Sequence, residues 1–192
     1  MARLPYLEPD QVAPQYRDLL KRNTNLHKLL VNSPDMAKAF NDVGEYIRFK
    51  SKLDPRLREL AILQVGWTER SEYEFSHHVK IGAQFGVTDG DIRGLIAESD
   101  GKPSKLEPIA KAILRGAREM ARDLAMSDAT FNEIKQHLSN EHMADLVVTI
   151  AFYCAVVRVL ATMKIDNEPH YQEVLRQYPL EGTPGQLERL LR

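Results

Sequence analysis

The segment that most constrains the fold is the stretch that opens at Asp54-Pro55 and continues to Trp67. Asp54 suits an N-cap and Pro55 suits the first helical turn, so the pair marks a helix start. After Glu59 the helix is apolar on nearly all sides, which predicts a central buried helix. Helical periodicity dominates the rest of the chain, and no convincing strand alternation is present. We therefore predict an all-α fold, a compact multi-helix bundle.

The chain is predicted to be one all-helical domain, residues 1–192. Residues 1–14 contain three prolines and little pattern, which indicates an extended arm on the body or on a neighbouring subunit. Residues 166–192 carry further prolines and are predicted to be an irregular tail. One helix, opened by Ser33-Pro34, has the apolar stripe Met36, Phe40, Val43 and Ile47. The other helices are predicted at about 15–21, 26–31, 71–85, 88–97, 105–124, 127–138 and 141–163.

Composition excludes several classes of protein. A net charge of −1, with no block of five like charges, gives no electrostatic reason to expect nucleic acid or an acidic membrane surface as a partner. The first residues, Met1-Ala2-Arg3-Leu4-Pro5, lack the continuous apolar core of a secretory signal, and we expect no membrane span because no apolar run approaches ~18 residues. We therefore expect a soluble cytoplasmic protein. The single cysteine, Cys154, excludes an intramolecular disulfide and any Cys-x-x-Cys pair.

Three residues form a candidate site. Glu74 and His78 are four residues apart on one helix, so a carboxylate-imidazole hydrogen bond is geometrically easy. Such a pair fixes the imidazole tautomer and raises its basicity, as general acid/base catalysis near neutral pH requires. Glu59, on the preceding helix, reaches the same point if the two helices pack antiparallel across the short turn between them.

Structural interpretations of these residues remain open. Ser71-x-x-Glu74 is a capping-box pattern, in which Glu74 reaches back to the Ser71 amide. Glu59 is also explained as a first-turn carboxylate or as an ion-pair partner of a neighbouring arginine. His78 fits a satisfied core histidine. His77 is predicted on the more polar face, exposed to solvent or at an interface.

The blocks Leu53–Val65 and Ser71–Val79 resemble the core of the carboxymuconolactone decarboxylase-like family. The order Glu59, Ser71-Glu72-Tyr73-Glu74 and His78 resembles its alkylhydroperoxidase D branch, which has Glu, then Cys-x-x-Cys, then His four residues later. The similarity continues in Val87–Ile92 and in Phe152-Tyr153-Cys154, and covers roughly residues 36–163.

The resemblance implies the alkylhydroperoxidase D-like fold, with His78 as the motif histidine and Glu59 as the proton-relay glutamate. Ser71 and Glu74 stand at the two cysteine positions, and serine cannot replace a peroxidatic thiolate. The decarboxylase branch resembles this chain in having Glu four residues before its His, and needs neither thiol nor cofactor. Trimers or hexamers with a site near a subunit boundary are also implied.

We therefore expect a cofactor-independent lyase or isomerase acting on a small carboxylated or lactone-like molecule. His78 would be the acid/base, Glu74 its orienting partner and Glu59 a second proton carrier. Substrate-binding roles are expected for Ser71, Tyr73 and His77, and no metal or cofactor is expected.

Three alternatives stay open. The first is a metal site built on Glu74-x-x-x-His78 with Glu59 or His77. The second is a non-catalytic oligomeric scaffold, and the third is a thiol peroxidase homologue that lacks Cys-x-x-Cys and relies on Cys154 alone.

Overall fold

The computed structural model describes residues 1–180. Within that range the chain is all-α, as predicted, with no strand. The α-helices are α1 (Asn25–Leu30), α2 (Pro34–Glu45), α3 (Pro55–Thr68), α4 (Glu72–Gln84), α5 (Asp89–Ser99), α6 (Pro108–Asp123), α7 (Asp128–Lys135), α8 (Asn140–Met163) and α9 (Gln172–Gln177). Short 3-10 helices span Pro9–Gln11, Pro14–Leu20 and Pro169–Tyr171, and a π-helical turn spans Tyr46–Lys50.

Helix α3 is the centre of the bundle. The Asp54 carboxylate accepts a hydrogen bond from the Leu57 amide at 2.9 Å, which fixes the start of the helix. From Leu57 to Trp67 every residue of α3 is buried, and the helix packs against α4, α5, α6 and α8. Burial on all sides removes a polar face, so the few charged side chains of α3 must find partners inside the protein.

A close turn brings α3 and α4 together. Arg70 adopts a positive φ of 55°, and the Ser71 amide donates to the Gly66 carbonyl at 2.9 Å. A Cβ atom at Gly66 would lie only 3.0 Å from the backbone nitrogen of Phe75, and one at Gly82 would lie 3.1 Å from the Val87 side chain. Glycine at position 66 therefore allows the close approach of α3 and α4 that brings Glu59 towards His78, and glycine at position 82 leaves room for Val87.

The terminal segments both lie on the bundle. In the N-terminal arm, the Arg3 amide donates to the Met163 carbonyl at 2.9 Å. The irregular tail predicted from Asp166 onwards is wrong for its described part, because residues 169–177 form the last 3-10 helix and α9, which packs on α4. Residues 181–192 of that predicted tail lie outside the described residues.

The predicted apolar stripe of α2 is only partly buried. Ile47 is buried, whereas Met36 is 63% exposed and Val43 is 39% exposed. Ala37 of the same helix is buried instead, in a small apolar cluster with Val12, Leu20 and Val31. Sequence spacing identified the apolar face of α2. Which face of α2 is buried depends also on how the N-terminal segment packs against it.

Helix α8 corrects the expectation that no apolar segment reaches the length of a membrane span. Among residues 1–180 it is the one helix long and apolar enough for that, with a mean hydropathy of 2.1 over 18 residues. A core helix of a soluble protein meets the same criterion, so one such helix is weak support for a membrane span. Only 39% of that window is buried within the chain, which leaves an apolar outer face.

Candidate functional site

Glu59 and His78 meet between α3 and α4. His78 Nδ1 lies 2.7 Å from Glu59 Oε2, at hydrogen-bond distance, and both side chains are almost completely buried. The two residues are nineteen positions apart in sequence, and the antiparallel packing of their helices supplies the contact, as expected.

Glu74 lies on the other side of the same imidazole ring. Its Oε1 atom is 3.0 Å from His78 Nε2, in the expected i,i+4 relation. The capping box is only half formed, because Ser71 Oγ accepts from the Glu74 amide at 3.4 Å while the Ser71 amide donates to Gly66. The Glu74 carboxylate is therefore directed to His78 and does not cap its own helix.

Arg58 completes the arrangement and was not identified from sequence as part of the site. Its Nε and Nη2 atoms donate to Glu59 Oε1 at 3.2 and 3.1 Å, and its guanidinium packs over the Phe85 ring at 4.6 Å. Only 2% of Arg58 is exposed. The available signal was an arginine beside Glu59 in a helix predicted to be buried on all sides. We call the chain of Arg58, Glu59, His78 and Glu74 the buried relay.

The charges of the buried relay alternate in sign. Burial by itself would lower the pKa of His78, but the carboxylates of Glu59 and Glu74 outweigh it and raise that pKa to about 9. Burial opposes ionisation of Glu59, yet His78 and Arg58 hold its pKa below the ordinary value. Each ring nitrogen of His78 faces a carboxylate oxygen, which accepts hydrogen bonds, so both nitrogens carry protons near neutral pH. Two positive and two negative charges then sum to zero.

Tyr153 of α8 forms one wall of the site. Its ring packs edge-on against the His78 ring with a centroid distance of 5.0 Å, and only 5% of the residue is exposed. Burial raises the pKa of its hydroxyl, and the neighbouring Glu74 and Glu59 raise it further. Tyr153 is therefore a neutral hydroxyl beside a charged imidazolium.

Two of the three expected substrate-binding residues lie away from the buried relay. His77 stacks between the rings of Tyr73 and Tyr171, at centroid distances of 3.9 and 3.7 Å, and its Nε2 lies 2.9 Å from Glu168 Oε2. The expectation that His77 is solvent-exposed is wrong, because only 6% of it is exposed. The described C-terminal segment covers this face of α4, which a sequence pattern within α4 does not reveal.

Glu168 ties the C-terminal segment to this stack. It accepts from the Asn25 amide at 2.7 Å and from the Tyr73 hydroxyl at 3.3 Å. Burial would raise the pKa of Glu168, but His77 and the hydrogen bond from the Asn25 amide lower it to about 2. Tyr73 and His77 thus anchor the segment after α8, while Ser71 contributes the N-cap of α4.

Comparison with known proteins connects this geometry to a family. Residues 34–100 match the sequence model of the Carboxymuconolactone decarboxylase family. This segment of the chain is similar to that family. It includes Arg58, Glu59, Glu74 and His78, so the whole buried relay lies within the matched region, whereas Tyr153 lies outside it. None of the curated proteins compared with the chain gives a significant match.

Solved structures share the fold at low sequence identity. A single-residue variant of the debrominase Bmp8, in complex with 2,3,4-tribromopyrrole, has a TM-score of 0.75 and 18% identity, covering 94% of this chain and 98% of its own. An uncharacterized peroxidase-related protein with an alkylhydroperoxidase AhpD core, from Ralstonia eutropha JMP134, has 0.74 and 17%, covering 88% and 94%. A peroxidase-related protein from Silicibacter sp. TM1040 has 0.69 and 17%, covering 88% and 92%. These likenesses show an alkylhydroperoxidase D-like fold.

The arrangement of donors in the buried relay does not favour a metal ion. Glu59 and Glu74 bind opposite nitrogens of His78, so the three side chains do not converge on a common point. Within residues 1–180, no group of three or more His, Cys, Asp or Glu side chains is placed to hold a metal ion.

Cys154 is not an activated thiol. Burial raises its pKa, and the nearby Arg158 does not reverse that effect. We expect no reductant-coupled peroxide turnover, and we expect Cys154→Ser to leave the peroxide reaction at the background rate. Peroxide consumption coupled to a dithiol reductant is the measurement. Robust turnover that Cys154→Ser abolishes would contradict this interpretation of the thiol.

Proposed function

We propose that this protein is a cofactor-independent acid/base enzyme, a lyase or isomerase acting on a small carboxylated or lactone-like molecule. The observation that carries the proposal is the buried relay, in which two carboxylates lie on opposite sides of one imidazolium ring. Groups that exchange protons within such a relay can give a proton to a carbon acid or take one from it without a thiol or a metal.

The hydrogen bonds favour Glu74 as the group that meets the substrate. Both nitrogens of His78 face carboxylates, and both oxygens of Glu59 are engaged, one by Arg58 and one by His78. Glu74 uses Oε1 towards His78, and its second oxygen has no partner within residues 1–180. We therefore propose Glu74 as the acid/base, with His78 and Glu59 holding it and supplying its proton, in place of the roles expected from sequence.

The reaction that follows is proton transfer at carbon. In an isomerisation, Glu74 takes a proton from a carbon next to a carbonyl, the electron pair moves into the carbonyl as an enolate, and Glu74 returns the proton at a different carbon. In a decarboxylation, His78 first passes a proton to Glu74. The carbon–carbon bond breaks, carbon dioxide leaves, and the electron pair left on carbon accepts that proton from Glu74. Solvent then returns a proton to His78.

A thiol peroxidase is the second candidate function, because two of the similar solved structures are described as peroxidase-related. The present chain has Ser71 and Glu74 at the positions that resemble the two cysteines of the alkylhydroperoxidase D branch. Serine does not form a thiolate or a stable disulfide, so this chain lacks the groups for that reaction. The acid/base assignment uses the residues that are present.

Deuterium exchange tests the proposed function. The protein would be incubated in D₂O with a panel of small lactones and keto- or unsaturated carboxylates, and NMR would detect deuterium at carbon or loss of carbon dioxide. We expect turnover with part of the panel, and we expect Glu74→Gln to lower it by about 10²- to 10⁴-fold. Glu72→Gln, on the exposed side of the same helical turn, is the matched control and should keep full activity. Equal activity of the Glu74 and Glu72 variants would refute the assignment.

We further propose that the protein acts in the cytoplasm as a homo-oligomer, a trimer or hexamer. The support is a set of exposed apolar side chains on α2, the π-helical turn and α8, which are Met36, Val43, Tyr46, Phe49 and Val148. A groove of about 300 Å³ lies between Val43 and Tyr46 on one side and Val148 on the other. Patches of this kind on soluble proteins mark association surfaces, and a second copy of the chain offers the same face.

Light scattering at micromolar concentration tests the assembly. We expect a mass of three or six times the 21.9 kDa chain. The double variant Phe49→Asp/Val148→Asp should shift it towards the monomer, because it places charge among these exposed apolar side chains. Phe131→Asp, at an exposed phenylalanine of α7, is the control and should not change the mass. A wild-type monomer would refute the assembly.

A further inference from the structure

Two arginines, Arg22 and Arg48, lie near Tyr153 without close acidic partners. Neither has a carboxylate oxygen within 4.0 Å among residues 1–180, although most charged side chains of the bundle that approach the interior are paired. The nearest acidic influence on Arg22 is the more distant Glu45. Two like charges held close together raise the free energy of the folded protein, so their placement favours a negative partner.

The backbone at Arg48 is unusual. Arg48 lies in the π-helical turn Tyr46–Lys50, where the Ser51 amide donates to the Tyr46 carbonyl at 2.9 Å, five residues back. A π-turn inserts one extra residue into the helix and redirects the side chains that follow, often at functional sites. Here it turns Ile47 and Arg48 inwards, and the Arg48 Nε atom is buried without a hydrogen-bond partner.

The surroundings of the two arginines are electrostatically positive. Burial, Arg22 and Arg48 together lower the pKa of His27 to about 4, so His27 is neutral at physiological pH. Arg22 keeps contact with solvent, yet desolvation by the protein around it and the nearby Arg48 lower its pKa. Both effects are expected in a cationic pocket that can bind an anion.

Tyr153 connects this pocket to the buried relay. The guanidinium of Arg48 faces the Tyr153 hydroxyl, while the ring of the same tyrosine packs against His78. Glu74 lies near the same hydroxyl. One small molecule in contact with Tyr153 is therefore within reach of Arg48 at one end and of Glu74 at the other.

We propose that Arg48, assisted by Arg22, binds a carboxylate of the substrate next to the Tyr153 hydroxyl, and so holds the reacting carbon against Glu74. The inference deepens the proposed function and rests on it for the role of Glu74. Arginine presents several N–H donors in a planar fork that matches a carboxylate. The bound carboxylate is an anchor that stays on the molecule, because an ion pair stabilises the carboxylate and opposes its loss as carbon dioxide. The substrate then carries this carboxylate in addition to its reacting carbon.

Calorimetric titration with succinate tests the pocket without any need for turnover. Wild-type protein is expected to bind succinate at millimolar concentration and not its neutral analogue succinamide. Arg48→Met should weaken succinate binding by about tenfold or more, and Arg22→Met by less. Arg93→Met, at an exposed arginine of α5, is the control. No binding by wild-type protein, equal binding of succinamide, or unchanged binding by Arg48→Met would each overturn the inference.

Stability separates a binding role of Arg48 from a structural one. Arg48→Met removes a buried donor without a partner, so its denaturation midpoint should be unchanged or higher than that of the wild type. A clearly lower midpoint would show that Arg48 supports the fold, and would overturn the binding role. Glu74→Gln should still bind succinate, so failure of the pocket and failure of the acid/base assignment give different results.

Discussion

Glu59→Ala is expected to lower the free energy of unfolding by about 3 to 5 kcal/mol. Glu59 is 1% exposed and is the carboxylate between Arg58 and His78, which lie on its two oxygens. Removing it leaves two buried positive charges next to each other, and it also opens a cavity between α3 and α4. Urea or guanidinium denaturation, monitored by helical circular dichroism, measures the effect.

The control for that prediction is Glu72→Ala. Glu72 is exposed, lies in the first turn of α4 and has no ion-pair partner within the described residues. Its loss should change the free energy of unfolding by no more than about 1 kcal/mol, the scale of a helix-dipole contribution. If Glu59→Ala were no more destabilising than Glu72→Ala, the claim that Glu59 stabilises the buried charges of Arg58 and His78 would be contradicted.

Stability should fall as the pH rises from about 7 to 9. The pKa of His78 is about 9 in the folded protein and near 6.5 in an unfolded chain. A raised pKa in the folded state means that the protonated histidine stabilises the fold. That contribution is complete below pH 6.5 and is lost as the pH rises through 9. It amounts to on the order of 3 kcal/mol. Denaturation midpoints across this range measure the loss.

Two variants make the pH prediction specific. The pKa of Cys154 is also raised, so its ionisation in the unfolded chain adds a loss at high pH, and a Cys154→Ser background removes that contribution. In Glu74→Gln, one of the two carboxylates that raise the pKa of His78 is gone, so the loss should be smaller and should be complete at a lower pH. Stability that stayed constant from pH 7 to 9, or a Glu74→Gln profile identical to that of the wild type, would contradict the charged state of His78.

Local sequence signals predicted much of the fold. The Asp54 cap, the all-round apolar segment after Glu59 and the Ser71 start gave α3 and α4 close to their observed limits, because capping and helical periodicity act within a few residues. Antiparallel packing of these two helices also predicted the contact between Glu59 and His78. The α2 stripe and the C-terminal segment were not predicted correctly, because their burial depends on contacts with distant parts of the chain.

The candidate site was predictable in part for the same physical reason. The i,i+4 pair Glu74 and His78 follows from helix geometry, but the sequence did not decide between a capping box and a contact with His78. The Ser71 hydroxyl caps the helix by accepting from the Glu74 amide, but the Ser71 amide donates to the Gly66 carbonyl. The Glu74 carboxylate is therefore not used in the cap and contacts His78. Arg22 precedes α1, Arg48 lies in the π-helical turn and Tyr153 lies on α8, so no local pattern in the sequence indicates that they are neighbours.

The central claim is that His78 is a charged member of the buried relay, with both of its nitrogens directed to carboxylates. The most direct test is ¹⁵N NMR of protein labelled at histidine, with His78 assigned by comparison with a His78→Gln variant. At neutral pH we expect both His78 ring nitrogens to be protonated, with slowly exchanging N–H protons, and to lose a proton only as the pH approaches about 9. A neutral His78 ring at pH 7, with one nitrogen free of its proton, would contradict the account.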